Sequence, residues 1–403
     1  MLLKVGNLML DLITSILLLL IVAIGLGEIF NRFSLPEVVG AIIAGIVLGP
    51  AVFGVVLPSS ELSTISVLAL FFIILQIGVE ASADIFSKNI RYVTGFALTS
   101  FIVPLILMSL GSIFIFKLPY LEAVSTSLSV SVPSISIASV LLVRSGLIKV
   151  EDGLRLLGGV AMSDAIAFIV LVSFHRPLMT IAIDSASLAA FVVCLYFLDM
   201  LLKSKSEFLI RRLDMFTRRE KEGIIFAIVI MMGLAASVLF EYIGITFVLG
   251  AFFSGLILHQ NTIGEHAFGI LKRTFQRINS SFFIPLFFSI SGLEVSMIPI
   301  SAIPYMIFLI AVTTSIGGLF AYSFSRRYMR SITPFVSLGI FGGRGAVGII
   351  IASLAISKGF MNSTYYSVAI FATVIMAVTF TLVFGRSLRN RDLPRNKAKG
   401  STR

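Results

Sequence analysis

Thirteen apolar segments, each long enough to cross a bilayer, occupy most of this chain: approximately 11–30, 36–57, 61–81, 92–117, 121–145, 153–174, 178–202, 222–240, 244–260, 280–297, 299–325, 333–357 and 363–385. A transmembrane helix needs about 20 mainly apolar residues. In lipid the backbone must satisfy its own hydrogen bonds, which leaves helices or closed barrels as the spanning forms. Segments of this length select helices. The expected fold is an all-α integral membrane protein with about 13 transmembrane helices. Composition agrees, since 58% hydrophobic against 13% charged residues is more apolar surface than one soluble core hides.

The first segment has some features of a secretion signal, with Lys4 ahead of the apolar run Ile13–Ile24. It continues through Gly25, Gly27 and Phe30 without a small-x-small cleavage site, so it reads as a retained span. The single cysteine, Cys194, falls in the seventh span, which leaves no disulfide framework and no cysteine metal site.

Cytoplasmic loops of membrane proteins carry the excess of Lys and Arg. With the N-terminus outside and the C-terminus cytoplasmic, the inner loops hold 26 of the 31 basic residues, among them Lys203–Lys221, Lys272–Arg277, Arg326–Arg330 and the tail from Arg386. Lys4, Lys117, Arg176 and Lys358 fall outside, and Arg344 lies within a span. The net charge of +11 is thereby a matter of topology at a cell membrane, with anionic lipid headgroups as its partner. No basic domain exists for nucleic acid. The segment 263–278 is amphipathic and basic, as suits a helix at the cytoplasmic interface.

The chain also repeats itself. Val38-Val-Gly-Ala-Ile-Ile-Ala-Gly-Ile-Val-Leu48 matches Val248-Leu-Gly-Ala-Phe-Phe-Ser-Gly-Leu-Ile-Leu258 at an offset of 210. Gly78, Glu80 and Ser82 match Gly292, Glu294 and Ser296, and Ala138-Ser139 matches Ala352-Ser353, both at an offset of 214. Small-xxx-small patterns recur in many membrane helices as packing surfaces, but three matches in register argue for a repeat. Matched spans lie seven apart, an odd number, so they cross in opposite directions. Two inverted six-helix units joined by a seventh span are the pattern of alternating-access transporters.

In the fifth span, Ser125-Thr-Ser-Leu-Ser-Val-Ser-Val-Pro-Ser-Ile-Ser136 places Pro133 at membrane depth, where it removes a donor and disrupts the helix. The twelfth span carries Gly342, Gly343 and Gly345 around Arg344. Two interrupted helices in corresponding halves point to a midplane site, and the alternative is a pair of ordinary kinks satisfied by neighbouring hydroxyls. Asp164 lies near the middle of one apolar stretch and Arg344 near the middle of another, about 180 residues later. Charges at that depth are costly and usually functional.

Leu35-Pro-Glu-Val-Val-Gly-Ala-Ile-Ile-Ala-Gly-Ile-Val-Leu-Gly-Pro50, Phe283-Ile-Pro-Leu-Phe-Phe-Ser-Ile-Ser-Gly-Leu-Glu294 and Gly343-Arg-Gly-Ala-Val-Gly-Ile349 resemble motifs of the monovalent cation/proton antiporter superfamily, over nearly the whole chain. Gly158-Gly-Val-Ala-Met-Ser-Asp-Ala-Ile-Ala167 falls where that family has its paired acidic or Asn-Asp motif, and Arg344 where it has an intramembrane Lys or Arg. The resemblance implies a homodimer. It also implies a dimerisation bundle over 1–90 and 222–297, a core bundle over 91–175 and 298–386, a linker helix and cytoplasmic loop over 176–221, and a basic tail over 387–403. At the first motif position this chain has Ser163, leaving Asp164 as the one central carboxylate.

Desolvation disfavours a bare carboxylate, so a proton and a dehydrated cation compete for Asp164, and that competition is exchange. One titrating carboxylate sets an expectation of one cation per proton. Ser163, Ser131 and Ser134 around Pro133 are candidate oxygen ligands, although membrane serines often bond their own backbone. Gln76 stands near where some relatives have an acidic residue; it lines the pathway or makes an interhelical hydrogen bond. Arg344 pairs with Asp164 or offsets broken-helix carbonyls. Glu80 and Glu294 are expected at the interface. His175, His259 and His266 fall in or near loops.

Antiport of Na+, Li+ or K+ against H+ accounts for these features together, with no cofactor. A sodium-coupled symporter shares such an architecture. Potassium-efflux systems share the motifs but usually continue into a large cytoplasmic domain, whereas this chain ends about 18 residues after the last span. An intramembrane enzyme needs a catalytic pair or metal cluster that the spans do not supply.

Overall fold

The computed structural model describes residues 2–33, 35–80, 92–144, 151–173, 218–242, 246–257, 264–328 and 334–389. The expected seventh span, with Cys194, and most of the 176–221 linker and the 387–403 tail lie outside the described residues, as do His175 and His259.

The described chain is almost wholly helical, without a strand. In order the helices are α1 (Leu2–Arg32), α2 (Glu37–Leu48), α3 (Ser60–Glu80), α4 (Tyr92–Phe114), α5 (Tyr120–Ser131), α6 (Ile135–Arg144), α7 (Glu151–Ser173) and α8 (Arg218–Tyr242). There follow α9 (Phe247–Ile257), α10 (Glu265–Ile278), α11 (Ile284–Leu293), α12 (Ile300–Tyr328), α13 (Pro334–Gly342), α14 (Ala346–Ser357) and α15 (Ser363–Arg389). Seven of these are long and apolar enough to cross a membrane, among the described residues. The other expected spans that fall within the described residues are shorter apolar helices, such as α2, α9 and α14, or are broken in two.

Punctuation residues set several boundaries. The apolar run 36–57 yields a helix only to Leu48, because Gly49 turns extended and Pro50 follows without a donor. Wide π-turns interrupt α4 at Leu98–Ile102 and α12 at Thr313–Gly317, and a third, Asn279–Phe283, joins α10 to α11. Pro104 and Pro285 sit in the first turn after two of these, where a missing N–H is tolerated.

One group of helices is held by backbone-to-backbone contact. α1 packs on α2, α2 on α11, α3 on α9 and α8 on α9. A Cβ on Gly45 would collide with the Ser289 carbonyl, and one on Gly292 with the Ile42 carbonyl. Likewise a Cβ on Gly78 would strike the Phe252 carbonyl, and one on Gly255 the Leu75 carbonyl. Gly40 presses on the Leu26 backbone and Gly250 on that of Ala236 in the same way. Small residues at these crossings are what let apolar helices associate in lipid.

The remaining long helices surround the broken ones. α15 packs against α5, α6, α12, α13 and α14, while α4 packs on α5 and α5 on α14.

Candidate functional site at the crossing of two broken helices

Two helices stop and restart in the buried interior of the bundle. α5 ends at Ser131 and α6 begins at Ile135; α13 ends at Gly342 and α14 begins at Ala346. The two links cross antiparallel, with Pro133 bridged to Arg344 and the Ser134 N–H donating to the Gly343 carbonyl at 2.9 Å. This bridge satisfies backbone groups that the breaks release, which lipid cannot do. Glycine is required for the approach, since a Cβ on Gly345 would overlap the Ser134 hydroxyl and one on Gly348 the Ser129 carbonyl. Ser134 also caps the restarted α6, its Oγ accepting from the Ile137 N–H at 3.4 Å. Ser131 donates to the Leu128 carbonyl at 3.0 Å and Ser163 to the Gly159 carbonyl at 3.0 Å, the local pattern of membrane serines. Among the described residues no donor is bonded to either hydroxyl oxygen.

Asp164 lies on α7, which packs against α5, α6 and α14, three of the four half-helices. Its side chain is fully buried, and neither carboxylate oxygen has a hydrogen-bond partner among the described residues. A bare carboxylate in such a place costs several kcal/mol by rough order, so a proton or a cation is needed to relieve it.

Arg344 is also fully buried, and it makes no ion pair with Asp164 among the described residues. Its Nη2 donates to the Ser100 carbonyl at 3.4 Å, while Nε and Nη1 have no partner among the described residues. Pro104, one turn on, has no N–H to offer that carbonyl. The same nitrogen would lie 3.6 Å from a Cβ on Gly317. The guanidinium thus sits between the π-turns of α4 and α12.

Gln76 lies in a separate polar network. Asn279 donates from Nδ2 to the Phe72 carbonyl at 2.9 Å and to Gln76 Oε1 at 2.5 Å. Gln76 and Gln276 both donate to Glu80 Oε1, at 2.9 Å and 3.0 Å. Asn279, fully buried on a π-turn, was not a sequence candidate; a polar residue at the head of an apolar span is the signal it carries. No group of three or more His, Cys, Asp or Glu side chains that could hold a metal occurs among the described residues.

A family model described as sodium/hydrogen exchanger, transmembrane, matches residues 16–389. The chain belongs to this family. Sodium/hydrogen exchangers are membrane transporters rather than enzymes. The exchanger chain is 26% identical over 380 residues to the Na(+)/H(+) antiporter of Enterococcus hirae, covering 92% of this chain and 96% of that protein. It is 24% identical over 362 residues to the Na(+)/H(+)-K(+) antiporter GerN of Bacillus cereus, covering 89% and 90%. In fold the exchanger is similar to the sodium proton antiporter MjNhaP1 of Methanocaldococcus jannaschii, with a TM-score of 0.65 over 94% of this chain and 99% of that one, at 12% identity.

Proposed function

We propose that this protein exchanges a monovalent cation, Na+ in the first instance, for H+ across the cell membrane by alternating access, one for one, and so serves sodium and pH homeostasis. The observation that carries the reading is Asp164: one fully buried carboxylate with both oxygens unpartnered among the described residues, on a helix packed against the half-helices. It holds a proton or a cation but not both. The hydroxyl of Ser163, the hydroxyls of Ser131 and Ser134, and backbone carbonyls freed around Pro133 are the proposed further oxygen ligands, and Arg344 compensates charge at the crossing. Gln76 influences the site through its network.

Paired contacts support an inverted repeat. At offsets of 210 and 214, the Gly45–Gly292 contact corresponds to Gly255–Gly78, and Gly40 against Leu26 corresponds to Gly250 against Ala236. The hydrogen bond from Ser134 to Gly343 corresponds to the close approach of Gly348 to Ser129. In the proposed assembly α1–α3 and α8–α11 form the dimerisation bundle of a homodimer. The other helices form the moving core, with the N-terminus outside and the C-terminus cytoplasmic.

Cation-driven dequenching of a pH dye in proteoliposomes, comparing Na+, Li+ and K+, tests the function. Response to none of the three would refute it. A second reading, K+/H+ exchange, is favoured by the similarity to GerN, whose name includes K+; a response to K+ above that to Na+ selects it.

A further inference from the structure

Glu294, expected at the interface, lines an open pocket of about 40 Å3 between α3, α11 and α14. Around it stand the hydroxyl-bearing Ser63, Ser66, Ser291, Ser353 and Ser357, with Leu70 and Phe287 among the apolar walls. The wall is built rather than frayed. Ser353 donates to Ser291 Oγ at 3.1 Å, and the Tyr366 hydroxyl donates to the Ser291 carbonyl at 2.7 Å. The Glu294 carboxylate itself has no hydrogen bond and no cationic neighbour within ion-pair distance among the described residues.

Its repeat counterpart is in the opposite condition. Glu80, 214 positions earlier, has Oε1 held by the side-chain amides of Gln76 and Gln276. Glu80 lies at the end of the molecule that carries the basic helix α10, and Glu294 closes the span that begins just after α10, so it lies at the other end. One carboxylate is therefore occupied by amides and the other faces a cavity.

We propose that the Glu294 cavity is a second cation-binding site, taking a monovalent cation such as Na+ at the mouth opposite the basic face and delivering it toward Asp164. The chemistry fits a hard monovalent ion: one carboxylate supplies the charge, hydroxyls supply neutral oxygens, and apolar walls strengthen the attraction by lowering the local dielectric. A large organic cation lacks the small radius that hydroxyl ligation rewards. The inference rests on the antiport reading, and deepens it by assigning a site of recruitment on one face only.

The test has two arms on the full chain. In proteoliposomes with the protein inserted in one orientation, Glu294→Gln is expected to raise the apparent KM for Na+ supplied at the Glu294 face by about tenfold, the size of one modest electrostatic contact. KM at the opposite face stays unchanged, Glu294→Asp restores most of the loss, and Ser353→Ala gives a smaller rise at the same face. In the second arm, Na+ is titrated into purified Asp164→Asn protein by calorimetry. Residual binding that Li+ competes for, choline does not, and added Glu294→Gln removes is the expected result. Unchanged KM at both faces for Glu294→Gln, or no residual Na+ binding in Asp164→Asn, would overturn the proposal. If Glu294→Gln does not fold, the Asp and Ser353 variants decide by the same face-specific KM. Normal exchange by Asp164→Asn would remove the antiport reading itself, while the calorimetric difference still judges the Glu294 site.

Discussion

Asp164 and Arg344 are both fully buried, and no ion pair joins them among the described residues. Opposite charges in one apolar core would gain from direct contact, yet the guanidinium goes to the Ser100 carbonyl and the Gly317 turn. Without that pair, both Asp164 oxygens stay unpartnered among the described residues.

This separation is measurable. Thermal unfolding of Asp164→Asn, Arg344→Gln and the double variant is expected to show a coupling below about 1 kcal/mol, because breaking a true buried pair costs about 3–5 kcal/mol. Arg344→Gln alone is expected to fold but lose at least about tenfold in exchange rate, an effect of about 1.4 kcal/mol on the barrier. A coupling of several kcal/mol would show that the two charges bond directly.

The glycine crossings make a prediction about stability. Gly45→Val and Gly255→Val force a side chain into a backbone contact, and each is expected to destabilise by at least about 1–3 kcal/mol, the usual range for overpacking. Melting of the detergent-solubilised protein reads the effect. Similar losses at the two positions agree with equivalent contacts in two repeats, whereas a neutral result at either position denies the close approach seen there.

Asn279 ties α3 to the π-turn that leads into α11. Asn279→Ala leaves the Phe72 carbonyl and the Gln76 amide oxygen without that donor, at an expected cost of about 1–3 kcal/mol for buried groups. Gln76→Ala, which leaves the Phe72 bond in place, is expected to cost less. The reverse order in thermal melts contradicts the network as drawn.

One carboxylate that holds either a proton or a monovalent cation moves no net charge in a full cycle. Exchange flux in proteoliposomes clamped with valinomycin and K+ gradients, in a sodium-driven assay, is expected to be the same at zero and at strongly negative potential. A steep voltage dependence shows a stoichiometry other than one for one.

Much of the fold was legible because lipid simplifies the code: long apolar runs became helices, and Pro133 and the glycines about Arg344 marked breaks that the chain does make. Asp164 and Arg344 stood out because charge is rare at that depth. The run 36–57 misled, since hydropathy does not register that Pro50 cannot continue a helix. The partners of Arg344 were hidden because they are a backbone carbonyl freed at a π-turn and a bare glycine, neither of which has a side-chain signature. The pocket beside Glu294 left no mark in the sequence because its walls come from α3 and α14, which the fold brings to α11 from far earlier and from later in the chain. Asn279 was missed for the same reason, its partner Gln76 being 203 residues distant.

In the proposed exchange cycle Asp164 alternates between a proton and a cation. Na+-induced dequenching of a pH dye in proteoliposomes, parent against Asp164→Asn at equal reconstituted amount and equal melting temperature, tests it most directly. The parent is expected to respond clearly and the variant no more than empty liposomes; equal responses from the two would rule the alternation out.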